Sequence, residues 1–180
     1  MSFVISAAYQ WPKKSIKESD KDSELAIKHI VNMISNRFNG KSHKNKISYK
    51  IDYRRLRASA GNTMLDSIMK RIENSNVIVF DITVNNPNIF LELGIALNIL
   101  KNKQNLNVYL IKKNQNSTEK SLLMDLPSDL QGYFISEYEV KNNKVTFKDS
   151  GSLRMSLEGD IKEFYNSISN NSEEINEIDQ

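Results

Sequence analysis

Apolar residues along this chain come in short unbroken runs alternating with stretches of helical spacing. Phe3 to Ala8 (FVISAA) predicts a central strand. Tyr9-Gln10-Trp11-Pro12 comes next, and Pro12 stops regular structure. Lys13 to Asp20 is polar and predicts an exposed loop. Leu25, Ile27, Ile30, Val31, Ile34 and Phe38 then make one broad apolar face, which predicts a helix from Ser23 to Phe38 stopped by Asn39-Gly40. Ile47 to Tyr53 alternates and predicts a second strand. A helix capped by Asn62 or Thr63 runs to Glu73, with Met64, Leu65, Ile68, Met69 and Ile72 inward. Leu106 to Ile111 predicts a fourth strand, Leu122 to Leu130 a turn and short helix, and Tyr133 to Val140 a fifth strand that Val145 to Phe147 extends or pairs with. Ser152 to Ile168 predicts a last amphipathic helix, closing a single domain over 1–168. Residues 169–180 are polar and acidic, and the expectation is a disordered tail.

The third strand and the helix after it organise the rest. Asn76 to Phe80 (NVIVF) is β-branched and aromatic without alternation, as in a strand covered on both faces of a parallel sheet. Asp81 ends it, where open α/β sheets place their ligands. Asn86 predicts an N-cap and Pro87 the first helical position. Ile89, Phe90, Leu93, Ile95, Ala96, Leu97 and Leu100 continue the helix, interrupted by Glu92. Strands alternating with helices predict an α/β fold with a five-stranded, mainly parallel sheet in the order 2-1-3-4-5. Tyr9 and Trp11, after strand one, should then face the same crevice as Asp81, Asn86, Asn88 and Glu92, with Arg54, Arg55 and Arg57 along its rim.

Composition narrows the reading. The chain has 180 residues, 39% hydrophobic and 26% charged, which suits a globular domain. A net charge of +3 with interspersed signs gives no footprint for nucleic acid. The absence of cysteine removes disulfides, thiolate nucleophiles and thiolate metal sites. No apolar run reaches the length that spans a bilayer, and no signal segment opens the chain, so the expectation is a cytoplasmic protein without a membrane partner.

Glu92 is the sharpest chemical candidate. Facing the crevice it would become a tuned acid or nucleophile; facing water it is an ordinary acidic residue near a helix N-terminus. Asp81 either binds a ligand or accepts N–H bonds from the loop Thr83 to Asn86 in an Asx turn. Asn88, one turn before Glu92, either orients that carboxylate or is a polar first-turn residue. Tyr9 and Trp11 either stack on a base or pack a lid. The arginine cluster, Arg57 included, either holds phosphate or forms a solvated loop. His29 and His43 have no companion at metal-ligand spacing, so no metal site is expected. G-x-G-x-x-G, G-x-x-x-x-G-K-[ST] and G-x-S-x-G are all absent.

The pattern D-I-T-x-x-N-P-N-I-F-x-E-L-G-I-A, Asp81 to Ala96, resembles the nucleoside 2-deoxyribosyltransferase-like group and related TIR-like predicted nucleotide-binding domains of prokaryotes. Leu126-Pro127-Ser128-Asp129-Leu130, before a strand holding Tyr138, is similar to a segment those TIR-like domains carry. In element order the resemblance extends over residues 3 to 140. It implies a flavodoxin-like three-layer sandwich and cleavage or transfer at an N-glycosidic bond. Glu92 would be nucleophile or oxocarbenium stabiliser beside Asp81. Tyr9, Trp11, Asn86, Asn88 and Arg57 would bind substrate. The chain departs from the deoxyribosyltransferases at Ile95, where those enzymes carry an aromatic, and matches strand one only loosely at Tyr9 and Trp11. The resemblance further implies no required cofactor, a nucleoside, nucleotide or NAD as ligand, a homo-oligomer, and a role in anti-phage defence with a defence-system partner protein. A module that binds a nucleotide without turnover is the alternative expectation.

Overall fold

The computed structural model describes residues 1–10, 18–43, 47–56, 64–103, 105–114, 130 and 133–178. The run Val77 to Asp81 forms strand β5 (Val77–Asp81), buried along its whole length. Its alternate side chains divide between two cores. Val77 and Val79 join one apolar cluster with Phe3, Ile5, Ile30 and Leu157, while Ile78 and Phe80 join another with Ile68, Ile72, Ile89 and Leu93. Each side chain so placed contributes roughly 1.5–3 kcal/mol. This is why the run shows no polar alternation: neither face meets water.

The other elements in chain order are β1 (Phe3–Ala8), α1 (Glu18–Phe38), β2 (Ser42–His43), β3 (Ile47–Ser48), β4 (Ile51–Arg55), α2 (Met64–Glu73), α3 (Pro87–Leu100), β6 (Asn107–Lys113), β7 (Ile135–Lys141), β8 (Lys144–Phe147) and α4 (Ser150–Ile178). The main sheet among the described residues has six strands in the order β4-β1-β5-β6-β7-β8. All neighbouring pairs are parallel except β7 and β8. Residues of α1 and α4 cover one face, and residues of α2 and α3 the other. The fold is α/β with a mostly parallel sheet.

Several boundaries differ from expectation, each for a physical reason. The sheet has six strands where five were expected. Val145 to Phe147 pairs with β7 rather than extending it, because Asn142 and Asn143 both take positive φ and turn the chain in two residues. The expected strand Ile47 to Tyr53 is broken at Tyr49 and Lys50. There the Tyr165 hydroxyl accepts from the Lys50 N–H (2.7 Å) and donates to the Lys50 carbonyl (3.0 Å), while Tyr49 packs edge-on against Phe38 and Tyr165. Tyr165→Phe removes both bonds at once. We expect it to cost about 1–3 kcal/mol in a denaturant titration, and an unchanged midpoint would refute this role.

Helix α1 starts at Glu18, ahead of the expected Ser23, because a polar first turn looks like a loop in sequence. Helix α4 runs to Ile178 and so continues through most of the stretch expected to be a tail. The stop after Phe38 lies as expected: Gly40 takes φ +78°, and the Lys41 N–H donates to the Phe38 carbonyl. The expected turn and short helix at Leu122 to Leu130 lies, but for Leu130, outside the described residues. No helix among the described residues is long and apolar enough to cross a membrane.

Candidate functional site

Strand β1 lies between β4 and β5, so the chain leaves β1 toward one edge of the sheet and leaves β5 toward the other. A crevice opens at the carboxyl ends of such a pair. Tyr9 and Gln10 come after β1, Arg55 ends β4, and Asp81 ends β5. The loop from Asp81 to the start of α3 brings Asn86 across, where its Nδ2 lies 3.5 Å from Gln10 Oε1.

Asp81 is sealed. It is 2% exposed. Its Oδ1 accepts the Thr83 N–H (2.9 Å) and the Thr83 hydroxyl, and its Oδ2 accepts the Tyr138 hydroxyl (2.7 Å). Ser23, from α1, also bonds to it. Burial pushes the carboxyl above its ordinary value, against the pull of these donors. The Thr83 oxygen in turn accepts the Lys113 N–H of β6 (2.7 Å). The Asx turn at Asp81 is therefore present, enlarged into a network joining α1, β5, β6 and β7. Thr83 and Tyr138 are the partners that local sequence does not announce, because Tyr138 lies 57 residues away.

Asn86 caps α3, its side chain accepting the Asn88 N–H at 3.0 Å, and Pro87 takes the first turn, as expected. Asn86→Ala should cost about 1 kcal/mol and Asn86→Asp much less, measured by thermal melting. Equal losses from the two would rule out the cap. Asn88 is exposed at the helix surface.

Glu92 is half-buried on α3, the helix whose buried residues are Ile89, Leu93 and Ala96. Burial raises its carboxyl from 4.5 to about 7, and the charge of Arg55 opposes the rise. The guanidinium of Arg55 stands 4.0 Å from the centre of the Tyr9 ring. Tyr9 shares a hydrogen bond with Tyr53, whose phenol burial pushes up. The structure thus groups Tyr9, Asn86 and Glu92 with Arg55, Gln10 and Tyr53. Trp11 and Arg57 lie outside the described residues. Arg55 belongs to the arginine cluster seen in sequence, but its neighbour over Tyr9 is fixed by register, Ala7 pairing with Arg55. Tyr53 shared that signal as the residue before the cluster.

A half-buried carboxyl raised by its burial, in the field of a cation stacked on an aromatic ring, is suited to bind and polarise a polar ring, or to attack an electrophilic carbon once ionised. A separate cavity of about 230 Å³ lies at the opposite, amino ends of the strands, lined by Phe3, Asn76, Asn107, Asp160 and Phe164 among others. It holds no part of this grouping, and its half-buried carboxylate Asp160 is already bonded to the Tyr109 hydroxyl (2.7 Å). Among the described residues no three His, Asp or Glu side chains are gathered to hold a metal. No protein-family model matches the chain, and no curated protein matches it.

Proposed function

We propose that the protein breaks or exchanges an N-glycosidic bond of a nucleoside, nucleotide or NAD, with Glu92 as the group that meets the sugar. The observation that carries this reading is Glu92 itself, raised to about 7 by burial with Arg55 as its cationic neighbour. The likeness of Asp81 to Ala96 to nucleoside 2-deoxyribosyltransferase-like and TIR-like domains supports it, as does the place of this segment after β5, beside β1, where the strand order reverses. In this reading the sheet belongs to the flavodoxin-like sandwiches, in which β4, β1, β5, β6 and β7 supply the order 2-1-3-4-5 and β8 is an addition. The protein works in the cytoplasm as a homo-oligomer, in anti-phage defence alongside a partner protein, and needs no cofactor.

The chemistry balances with the chain's own groups. As the C1′–N bond breaks, its electron pair leaves with the base and positive charge grows on the sugar. Ionised Glu92 stabilises that charge or forms a C1′–O bond to it. Water then attacks C1′, the ester bond returns its electrons to Glu92, and the water's proton goes to solvent or base. A second base in place of water gives transfer. Asn86 and Asn88 hold sugar or base atoms, and Tyr9 offers a ring face. Trp11 and Arg57 are kept as substrate-binding candidates. Asp81 acts as a positioning residue that fixes the loop before α3.

The second reading, a module that holds a nucleotide without turning it over, draws on one feature: both Asp81 oxygens are engaged, which leaves Glu92 without Asp81 as a second open carboxylate. Chromatography separates the two. Wild-type protein and Glu92→Gln are incubated at high concentration with NAD, ribonucleosides, deoxyribonucleosides and their phosphates. Free base from the wild type alone is the expected result. Base released equally by both proteins would overturn Glu92's role, and none from either would favour the binding module.

A further inference from the structure

We propose that the cavity at the amino ends of the strands binds a small primary amine, its ammonium held between Asp160 and Glu163 and its carbon body lying against Phe3 and Phe164. The site is at the end of the sheet away from the crevice, and it does not rest on the N-glycosidic reading.

Helix α4 and strands β1 and β6 build it. Asp160, Glu163 and Phe164 stand three and four residues apart on α4, so they share one face of that helix. All three line the cavity, together with Phe3 of β1 and Asn107 of β6. Phe3 and Phe164 meet edge to face, with ring centres 5.5 Å apart, and make an apolar wall. Asp160 is held from the sheet: the Tyr109 hydroxyl donates to its Oδ2 at 2.7 Å, and the Asn107 side chain also bonds to it. A carboxylate has about four acceptor positions, so two such bonds fix its direction and leave room for an ammonium N–H. A carboxylate ordered before the ligand arrives lowers the cost of binding.

The charges call for a cation. Burial raises the Asp160 carboxyl above its ordinary value, the charge of Glu163 adds to the rise, and the hydrogen bonds that oppose it come from the neutral donors Tyr109 and Asn107. Glu163 is exposed and has no hydrogen bond or ion pair among the described residues. The chain carries a net charge of +3, yet no lysine or arginine is among the described residues that line this cavity. Lys162 is exposed beside Glu163 and lines no part of it, and Lys103 donates to the carbonyls of Glu73 and Ser75. A metal ion is the poorer fit. No three His, Asp or Glu side chains are gathered among the described residues, and phenyl rings offer a metal no ligand, whereas they cover a carbon stem. The volume of about 230 Å³ is below the roughly 300–1,000 Å³ of sites for drug-sized ligands, so the amine is small.

The test is an NMR titration of wild type, Glu163→Gln and Asp160→Asn with butylamine, putrescine, butanol and calcium chloride, following the side-chain amide signals of Asn76 and Asn107, which both line the cavity. Both amines should shift these signals and saturate below about 10 mM, while butanol should leave them in place. Each substitution should weaken amine binding by about 10-fold or more, the size of a lost charge-assisted hydrogen bond. Glu163 is exposed, so Glu163→Gln keeps the fold and decides the question even if Asp160→Asn does not fold. Four results would each overturn the proposal: no amine-induced shift in the wild type, an equal response to butanol, saturation of the same signals by calcium at lower concentration than by either amine, or unchanged amine affinity in Glu163→Gln.

Discussion

At pH 8, Glu92→Gln should be both inactive and more stable than the wild type. Inactivity comes from the proposed role: without a carboxylate at C1′ the rate should fall by at least about 10³-fold, as for other groups that act in the covalent step. The stability gain comes from burial. The fold raises this carboxyl from 4.5 to about 7, so folding favours the protonated form. The benefit of Glu92 is then complete below pH 4.5 and is lost as pH rises through about 7. The full shift corresponds to about 3 kcal/mol. Glu92 is only half-buried, so solvent screening reduces this to about 1–2 kcal/mol. Gln keeps the shape and never ionises. Melting curves should therefore separate the two proteins by about 3–6 °C at pH 8 and bring them together near pH 4.5. Coincident curves at both pH values would show that Glu92 is not strained in the fold. In the wild type, base release should rise with pH around 7 and level off above 8, since only the ionised form serves the sugar.

The second large effect is expected at Asp81. Asp81→Ala strands the Thr83 N–H, the Thr83 hydroxyl and the Tyr138 hydroxyl together in a region closed to water. Each buried donor left without an acceptor costs about 1–3 kcal/mol, and relaxation recovers part of it, so we expect a loss of about 2–5 kcal/mol in a urea titration. That is a large share of the roughly 5–15 kcal/mol that keeps a domain folded. Asp81→Asn retains one acceptor oxygen but turns an amide donor toward another donor, and should cost about 1–3 kcal/mol. Combining Asp81→Asn with Tyr138→Phe should cost less than the two apart, because they share one hydrogen bond. Strict additivity would mean that the Asp81–Tyr138 bond contributes nothing. If Asp81→Ala unfolds at the wild-type urea concentration, the network is not holding the loop.

What could be read in advance was local. The β-branched run of β5, the Asn-Pro start of α3 and the glycine stop after α1 each carry their cause within a few residues, and each lies where expected. The break between β3 and β4 was not legible because its cause is Tyr165, 115 residues further along. The start of α1 was not legible either, because polarity alone does not distinguish a helical turn from a loop. At the site, Glu92 stood out as a carboxylate in an apolar helix, but its charged neighbour did not. Asn88, one turn away, was the obvious companion; Arg55, brought over by the pairing of β4 with β1, is the cation that acts on it. A register is a property of two strands at once, and neither strand's sequence shows it.

The place of β1 in the sheet has a consequence for biosynthesis. It leaves the ribosome before either of its neighbours in the sheet, and Val4 must wait for Asn76, 72 residues downstream. At about 5–20 residues per second that delay is about 4–14 s. Meanwhile FVISAA, all six of its residues buried in the finished fold, has no sheet to enter. The hairpin of β7 and β8 closes within microseconds of its emergence. The apolar β1 is thus the segment exposed to aggregation during that wait, and the one that a holding chaperone would shelter until β5 is made.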